Sequence, residues 1–453
     1  MEHCDVIIVG AGLSGLTAAN ALVQSGKSVR VVEVDDAIDD RGAGLGISPS
    51  GMSSLESLGP QIFDEVKACS QPAMSQARVF TKEGLPKSPD CTDMPDCTKH
   101  AESYGPEGAK GLMMVNWYML RRILIRGLPS GSLMLGMRHT GYEEDADGVT
   151  LTFEGRPPIR GALLLGADGA LSGIRRQCLG DKQPLSVLRV CWHGVIPGGV
   201  GELKEGDDGR SCHLWLDPSL RVGGVCRIPG PGGSLQSVWM CTVPGDPDLA
   251  RRVEGMRDGR EVLQLMLRMM DGFDEALLGP LRRTAPENVE AIPLYQRPPS
   301  LVWGRGRVTL LGDAAHLMPP QYGIATSMAL EDAIAVATSV ARQGLGKAAL
   351  RCYERRRVSR VVPLQVAMAS LGRWKFCPSD NGRMSPIKRR LMTYIHEYTP
   401  EPFLDLRSEA SGTVCGSPAH KRPCCGAGAS CKRQRAAADD CCDHAITSAP
   451  AFP

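Results

Sequence analysis

Residues 4–34 read CDVIIVGAGLSGLTAANALVQSGKSVRVVEV. An apolar run enters a glycine-rich turn, a helical segment follows, and a second apolar run ends at Glu33. The run CDVIIVG has the length and composition of a buried strand. GLTAANALVQSG has the pattern of a helix closed by Gly26 at its C-terminal end. The turn between them, Gly10-Ala11-Gly12-Leu13-Ser14-Gly15, fits the G-x-G-x-x-G pattern. In that pattern the first glycine makes a tight turn and the second lets a pyrophosphate approach the backbone. The third lets helix and strand pack closely. A helix N-terminus offers free N–H groups and roughly half a positive charge to the anion. Glu33 lies 23 residues after Gly10, near the ~20 expected of a ribose-binding acid. These features predict a dinucleotide site. By themselves they leave the dinucleotide open between NAD and FAD.

Two more segments repeat the strand-then-turn theme. LLLGADGALSGIRR places Asp168 and Gly169 after an apolar strand. RVTLLGDAAHLMPPQYGIATSMALEDA places Gly312 and Asp313 after another and continues into a helix from about Ser327. Strand ends so far apart in sequence suggest one long ligand gripped at several places. FAD is longer than NAD and carries a ribityl chain, whose hydroxyls a carboxylate at Asp313 suits. The N–H groups at the helix start, from Gly323 through Ile324, Ala325, Thr326 and Ser327, would point at the flavin edge that becomes negative on reduction.

The chain has 453 residues, 42% of them apolar, with a net charge of +2. That length favours more than one core, and the near-neutral charge gives no strong field for nucleic acid or anionic lipid. No uninterrupted apolar run approaches the ~18 residues of a membrane span. The first residues enter a strand without a targeting pattern, so a cytoplasmic protein is expected. Many of the 17 cysteines sit singly in apolar segments, which reads as reduced, buried thiols.

The expected fold is α/β. A Rossmann-like, glutathione-reductase-type FAD-binding domain spans 1–184 and 294–400, with an irregular excursion at 70–111. A β-rich substrate domain spans 185–293, where short apolar runs alternate with Gly/Pro turns. Long C-terminal helices follow, with a kink expected at Pro363. A Cys-rich tail at 401–453 shows no apolar periodicity and is expected to be disordered. Its cysteines and His444 lack the pair spacing of a zinc site, so no metal is expected.

GAGLSG with Glu33, DDRGAGLGISP, GADGALSGIRR and GDAAHLMPP…ALEDA follow one another as they do in the FAD-dependent aromatic hydroxylases, the group A flavoprotein monooxygenases. The resemblance covers about residues 1–375. RGAGLGISP, NWYML and WHGVIP are most similar to the dihydroxypyridine-hydroxylase-like branch. The resemblance implies FAD as cofactor and NADPH or NADH as co-substrate. The partners would be O₂ and a small aromatic or otherwise activated ring, hydroxylated through a flavin C4a-hydroperoxide, in a monomer or homodimer. It places Arg41 near the FAD ribose and phosphates, Asp168 and Gly169 in a motif serving both FAD and the nicotinamide, and Asp313 on the ribityl chain. Pro319 would lie beside the flavin ring, with His316 as a candidate for the chemistry. An epoxidase or other oxidoreductase on the same scaffold, or a non-catalytic FAD-binding relative, are the alternatives.

The chain departs from the family pattern at two places. Ala325 stands where a second glycine is usual, and is strained only if that position has a positive φ. Trp117 stands where relatives carry an arginine, which removes a cation from the FAD site. On the substrate side, His193, His213, Trp215, Trp239 and Tyr295 are the candidates for the surface over the flavin.

Overall fold

The computed structural model describes residues 1–38, 44–72, 78–86, 112–180, 185–205, 207, 212–318 and 323–371. Of two compact units, Met1–Gly412 and Thr413–Pro453, the first holds all of them. Arg41, Pro319 and the Cys-rich tail lie outside the described residues.

The opening stretch folds as β1 (Glu2–Val9), α1 (Leu13–Gln24) and β2 (Val29–Val32). Then come β3 (Gly44–Ile47), α2 (Pro49–Glu56), α3 (Pro60–Ala68), β4 (Ser70–Pro72) and β5 (Arg78–Thr81). Next are β6 (Met113–Asn116), α4 (Trp117–Arg126), β7 (Leu133–Met134), β8 (His139–Glu144), β9 (Val149–Phe153) and β10 (Arg156–Gly166). β1 lies between β2 and β10, parallel to both. Val6, Ile7 and Ile8 are fully buried. A strand covered on both faces needs a continuous apolar run rather than an alternating one, and VIIV supplies it. The β8–β9 hairpin turns where Asp145 Oδ1 accepts the N–H groups of Asp147 and Gly148, each at 2.9 Å.

After α5 (Gly173–Leu179) the chain builds β11 (Ser186–Pro197), β12 (His213–Leu216), β13 (Val222–Pro229) and β14 (Leu235–Pro244). Three helices follow, α6 (Pro247–Glu254), α7 (Gly259–Met269) and α8 (Glu275–Arg282), and then β15 (Val289–Gln296). The strand order here is β15-β11-β14-β13-β12-β5. One face packs Trp192, Trp215 and Trp239 against Leu265, Met266 and Leu277 of the helices. Each tryptophan buries roughly 150–250 Å², worth on the order of 4–6 kcal/mol of transfer free energy as an upper bound. Part of the stretch expected to be irregular, 70–111, is strand. β5 pairs in parallel with β12, and β4 pairs with β6.

The chain returns to the first sheet through β16 (Gly304–Arg305) and β17 (Val308–Leu310), giving the order β16-β17-β10-β1-β2-β7. The turn α9 (Asp313–His316) leads to α10 (Ile324–Gln343) and α11 (Lys347–Leu371). α11 continues through Pro363. Among the described residues α10 is long and apolar enough to cross a membrane, but 72% of its apolar window is buried within the fold. It is a core helix, packed against α1, α2 and α11. β3, β6 and β4 form a small third sheet. There Gly44 comes so close to Val238 of β14 that a Cβ on it would lie 2.4 Å from Val238 Cγ2. The eight cysteines among the described residues are free thiols.

Candidate functional site

The three glycines of the first turn divide the labour that the sequence pattern predicts. Gly10 has φ +104°, and a Cβ there would lie 2.4 Å from Ala167 O. A Cβ on Gly15 would lie 2.1 Å from Gly10 O. Both positions are closed to any side chain. A Cβ on Gly12 would instead meet nothing within 4 Å. Gly12 is the N-cap of α1, and no side chain caps that helix end. An uncapped helix N-terminus with open space over its capping glycine is a cradle for an anion. It fits the pyrophosphate of FAD.

Glu33 ends β2 beside this cradle. Its Oε2 accepts the Ala11 N–H at 2.9 Å, and its Oε1 accepts the Val34 N–H at 2.8 Å. Arg121 of α4 donates from Nη2 to Glu33 Oε2 at 3.2 Å and from Nε to Ala11 O at 2.8 Å. The guanidinium also lies over the Trp117 ring, 5.1 Å from its centroid. Sequence reasoning took the tryptophan as the loss of a cation. Arg121, buried one turn further along α4, brings one to the dinucleotide loop. Its only sequence signal was a charged residue next to the apolar positions Leu120 and Leu124. Asn116 starts this helix by accepting the Tyr118 N–H at 3.0 Å.

Asp168 and Gly169 follow β10. The Asp168 carboxylate accepts the Ser172 hydroxyl at 2.5 Å and the Ile174 N–H at 3.1 Å, which fixes the start of α5. His139 Nε2 lies 3.8 Å from the same carboxylate. Desolvation lowers the His139 pKa against the opposing pull of Asp168. Gly169 has φ +73°. Arg175, also in this motif and not singled out from sequence, is buried and donates to Ala314 O and Ala315 O, both at 3.0 Å. It straps the Asp168 turn to the Asp313 turn, two motifs far apart in sequence.

Asp313 opens α9 after Gly312, whose φ is +57°. Its side chain reaches solvent but is closely surrounded by protein atoms. This desolvation raises its pKa, with His316 pulling the other way. His316 is buried, 1% exposed. Its Nε2 is 2.5 Å from Asp332 Oδ2, and its ring tilts against Trp303 at 5.1 Å. Its Nδ1 has no hydrogen-bond partner among the described residues. Asp332 also accepts the Gly312 N–H at 3.0 Å and Arg357 Nε at 2.7 Å. Arg357 and Arg360 both reach Glu331, at 2.7 Å. The structure therefore sets His316 in a buried charge network that braces the Asp313 turn.

The start of α10 explains the family departure at Ala325. Gly323 is the N-cap, with φ +65°, and a Cβ there would lie 2.4 Å from Gly46 O. Glycine is needed at that position. Ala325 is the second residue of the helix, with ordinary helical backbone, so alanine is favourable there. Ile324 is buried. Thr326 is partly exposed at the helix start. No side chain caps α10, which leaves its first N–H groups for a ligand. Ser327 is committed within the protein: it donates to Gly323 O and accepts the Ser48 N–H, both at 2.9 Å.

Most of the sequence candidates for the substrate surface face elsewhere. Trp215 donates to Asp274 and Trp239 to Thr284, each at 3.0 Å, in the core beneath α6–α8. His213 is fully buried and stacks with both Phe80 and Trp215, which also stack on each other. Tyr295 bonds Glu254 at the exterior. The opposite face of the sheet, toward β3 and the start of α10, carries Leu112, Cys212, Cys226, Ile228 and Val238. The Cys212 thiol is pushed well up by its hydrogen bond with Cys226 and by burial, so it stays protonated. His193 borders a cavity, beside Glu290.

Comparison with known proteins agrees with this geometry. A family model described as FAD binding domain matches residues 3–364. The chain is 26% identical over 373 residues to aurachin C monooxygenase/isomerase of Stigmatella aurantiaca, covering 82% of this chain and 90% of that one. It is 29% identical over 403 residues to FAD-dependent urate hydroxylase of Klebsiella pneumoniae, covering 88% and 96%. The crystal structure of a Klebsiella pneumoniae HpxO variant complexed with FAD superposes with a TM-score of 0.68 at 25% identity, covering 90% of this chain and 98% of that one. The chain therefore belongs to the FAD-binding monooxygenase family, the group A flavoprotein hydroxylases, and its cofactor is FAD.

Proposed function

We propose that this protein uses NAD(P)H and O₂ to hydroxylate a small, uncharged aromatic or otherwise activated ring. The observation that carries the choice of ring is the wall of buried apolar side chains, Leu112, Cys212, Cys226, Ile228 and Val238, beside a cavity lined by no lysine or arginine among the described residues. A buried carboxylate or phosphate on a substrate would need a paired cation, and this wall offers none. FAD, when bound, supplies hydride acceptance and oxygen activation. The residues of the chain hold and orient it. The start of α1 takes the pyrophosphate. Asp313 accepts hydrogen bonds from the ribityl chain. The N–H groups at the start of α10 stabilise negative charge at the flavin edge. The apolar wall keeps water from the reacting face.

The relatives support hydroxylation of a ring, among them a 6-hydroxynicotinate 3-monooxygenase of Bordetella bronchiseptica at 26% identity, whose named substrate carries a carboxylate; the absence of charge on the ring rests on the wall and its cavity alone. The test is NAD(P)H oxidation by the holoenzyme with a panel of uncharged phenols and N-heterocycles, with the product analysed after reaction under ¹⁸O₂. Substrate-stimulated oxidation with one labelled oxygen in the product is expected. Oxidation of the ring without label, or no stimulation by any member of the panel, overturns the reading.

A further inference from the structure

Among the eight free thiols of the described residues, Cys212 and Cys226 form a matched pair. β12 and β13 run antiparallel with His213 opposite Val225, which sets Cys212 opposite Cys226 one step further along. The hydrogen-bond phase of the ladder fixes what kind of pair this is. At the turn, Asp217 donates its N–H to Arg221 O at 3.0 Å. Bonded pairs recur at every second position of an antiparallel ladder, so His213–Val225 is a bonded pair and Cys212–Cys226 is not. The strand on the other side agrees. Cys212 O accepts the Arg78 N–H of β5 at 2.8 Å, so that carbonyl turns away from β13. In a pair without mutual hydrogen bonds the Cα atoms lie about 4.5 Å apart, inside the roughly 4.4–6.8 Å that a disulfide spans. The side chains meet there, and the Cys212 thiol shares a hydrogen bond with that of Cys226. Cys191 and Cys241 are also buried but face opposite sides of the sheet, because Cys191 is opposite Thr242 and Cys241 is opposite Trp192.

Cys212 and Cys226 are 7% and 6% exposed and pack with Leu112, Ile228 and Val238. Leu112 in turn lies beside Gly323 at the start of α10, so the dithiol belongs to the wall on the cofactor side. Burial keeps the thiols neutral, which makes them slow nucleophiles, and shields them from large reagents. A small neutral oxidant formed at the flavin escapes that shielding. Hydrogen peroxide is such a product, released when O₂ re-oxidises reduced FAD with no substrate to take the oxygen.

We propose that Cys212 and Cys226 are a redox-modification site, converted to a disulfide by hydrogen peroxide that arises in uncoupled turnover. The source of the peroxide rests on the monooxygenase reading; the dithiol couple does not. One sulfur attacks peroxide, forming an S–O bond and breaking O–O, and its proton leaves with the displaced hydroxide as water. The second sulfur displaces the sulfenic hydroxyl, which takes the second thiol proton and leaves as water. The two thiols lose two electrons and one peroxide becomes two waters.

Trypsin cuts after Arg210, Arg221 and Arg227, which puts the two cysteines on separate peptides, 211–221 and 222–227. A bond between them is therefore read by mass spectrometry as one linked species. The FAD-loaded full-length protein is reduced with dithiothreitol and desalted. It is then either treated with hydrogen peroxide or photoreduced and opened to air, without substrate, and free thiols are blocked before digestion. Both treatments should convert most of the pair to the linked peptide, an anaerobic control should not, and dithiothreitol should reverse the change. Cys226→Ala should instead accumulate a Cys212 sulfenic acid, trapped with dimedone. If that variant does not fold, Cys212→Ala serves with the roles exchanged. Linkage with added peroxide but not after photoreduction supports the couple and overturns the flavin as the source of its oxidant. Linkage in both arms, with no labelled product in the ¹⁸O₂ assay, supports the couple and overturns the monooxygenase reading. No linked peptide in either arm, or Cys212 joined to other cysteines as readily as to Cys226, overturns the proposal.

Discussion

Arg121 and Glu33 hold each other at the mouth of the dinucleotide loop, Nη2 to Oε2 at 3.2 Å, with side chains 5% and 11% exposed. The same arginine reaches Ala11 O, and the same carboxylate receives the Ala11 N–H. Residue 11 is thus pinned on both its amide and its carbonyl. Protein contacts thus hold the glycine loop in shape, which lowers the ordering cost of binding FAD.

Arg121→Met removes this brace and leaves Glu33 buried with no ion-pair partner among the described residues. Breaking a buried pair from one side costs on the order of 3–5 kcal/mol, here divided between stability and cofactor binding. We expect the variant to melt several degrees lower and to bind FAD at least about tenfold more weakly. Arg121→Lys should recover part of the charge but not the two-point grip. Titration of apo-protein with FAD by fluorescence quenching checks the affinity. Arg121→Met with parent FAD affinity would show that the arginine does not shape the site.

Asp313→Ala should weaken FAD retention by about 10–100-fold, the range for losing a charge-assisted hydrogen bond of ~1.5–3 kcal/mol. A pH signature accompanies it. The carboxylate is the acceptor, and burial raises its pKa in the folded protein. Its contribution to FAD binding is therefore full above that raised pKa and is lost as pH falls through it, beginning at a higher pH than for an ordinary aspartate. Release of FAD fluorescence as a function of pH reads this directly. Asp313→Asn should flatten that part of the profile. A variant that purifies fully flavinylated with an unchanged profile would remove Asp313 from the ribityl contact.

The buried network behind this turn predicts a different outcome for His316. Burial alone would raise the pKa of Asp332, but the combined pull of His316 and Arg357 outweighs it and holds the carboxyl below its usual range. A depressed pKa stabilises the fold above the unfolded value, ~3.9. That stability is lost as pH falls through the folded value. Asp332→Asn should therefore reduce stability at pH 7 and remove part of the acid dependence below about pH 4. His316→Gln should lower the melting temperature. Turnover per bound flavin should stay within about threefold of the parent, because the ring is 1% exposed and bonded to Asp332. A loss of turnover by orders of magnitude at full flavin content would return His316 to the chemistry.

How far the site could be read from sequence depended on the range of the physics at each residue. Gly10, Gly12 and Gly15 act through sterics within one turn, so their spacing alone carried their roles. Arg121 and Arg175 act on groups 110 and 139 residues away, and nothing near them in sequence announces those partners. Trp215 and Trp239 are candidates in sequence for the surface over the flavin, with a core position the favoured reading, and the sequence does not say which face of the sheet the helices cover. The three helices α6–α8 cover the tryptophan face, so the opposite face of cysteines and aliphatics turns to the cofactor side. Ser327 sits at the expected helix start, but its hydroxyl closes a contact with Ser48, 279 residues earlier. That contact is invisible until the third sheet is formed.

The start of α10 gives the sharpest local test, because two neighbouring positions should respond in opposite senses to the same pair of residues. At Gly323 the backbone is left-handed and a Cβ would collide with Gly46 O and Leu112. Gly323→Ala costs about 1–2 kcal/mol for the conformation, and the displacement of β3 adds to it. At Ala325 the backbone is helical, and Ala325→Gly costs about 0.5–1 kcal/mol through lost helix propensity. Both variants should therefore be less stable than the parent in chemical denaturation, Gly323→Ala by the larger amount. Only Gly323→Ala should also weaken FAD, because it moves the N–H groups proposed to face the flavin edge. If Ala325→Gly instead stabilised the protein and tightened FAD, the backbone at residue 325 would be non-helical in the loaded enzyme. The family's glycine would then be the better fit.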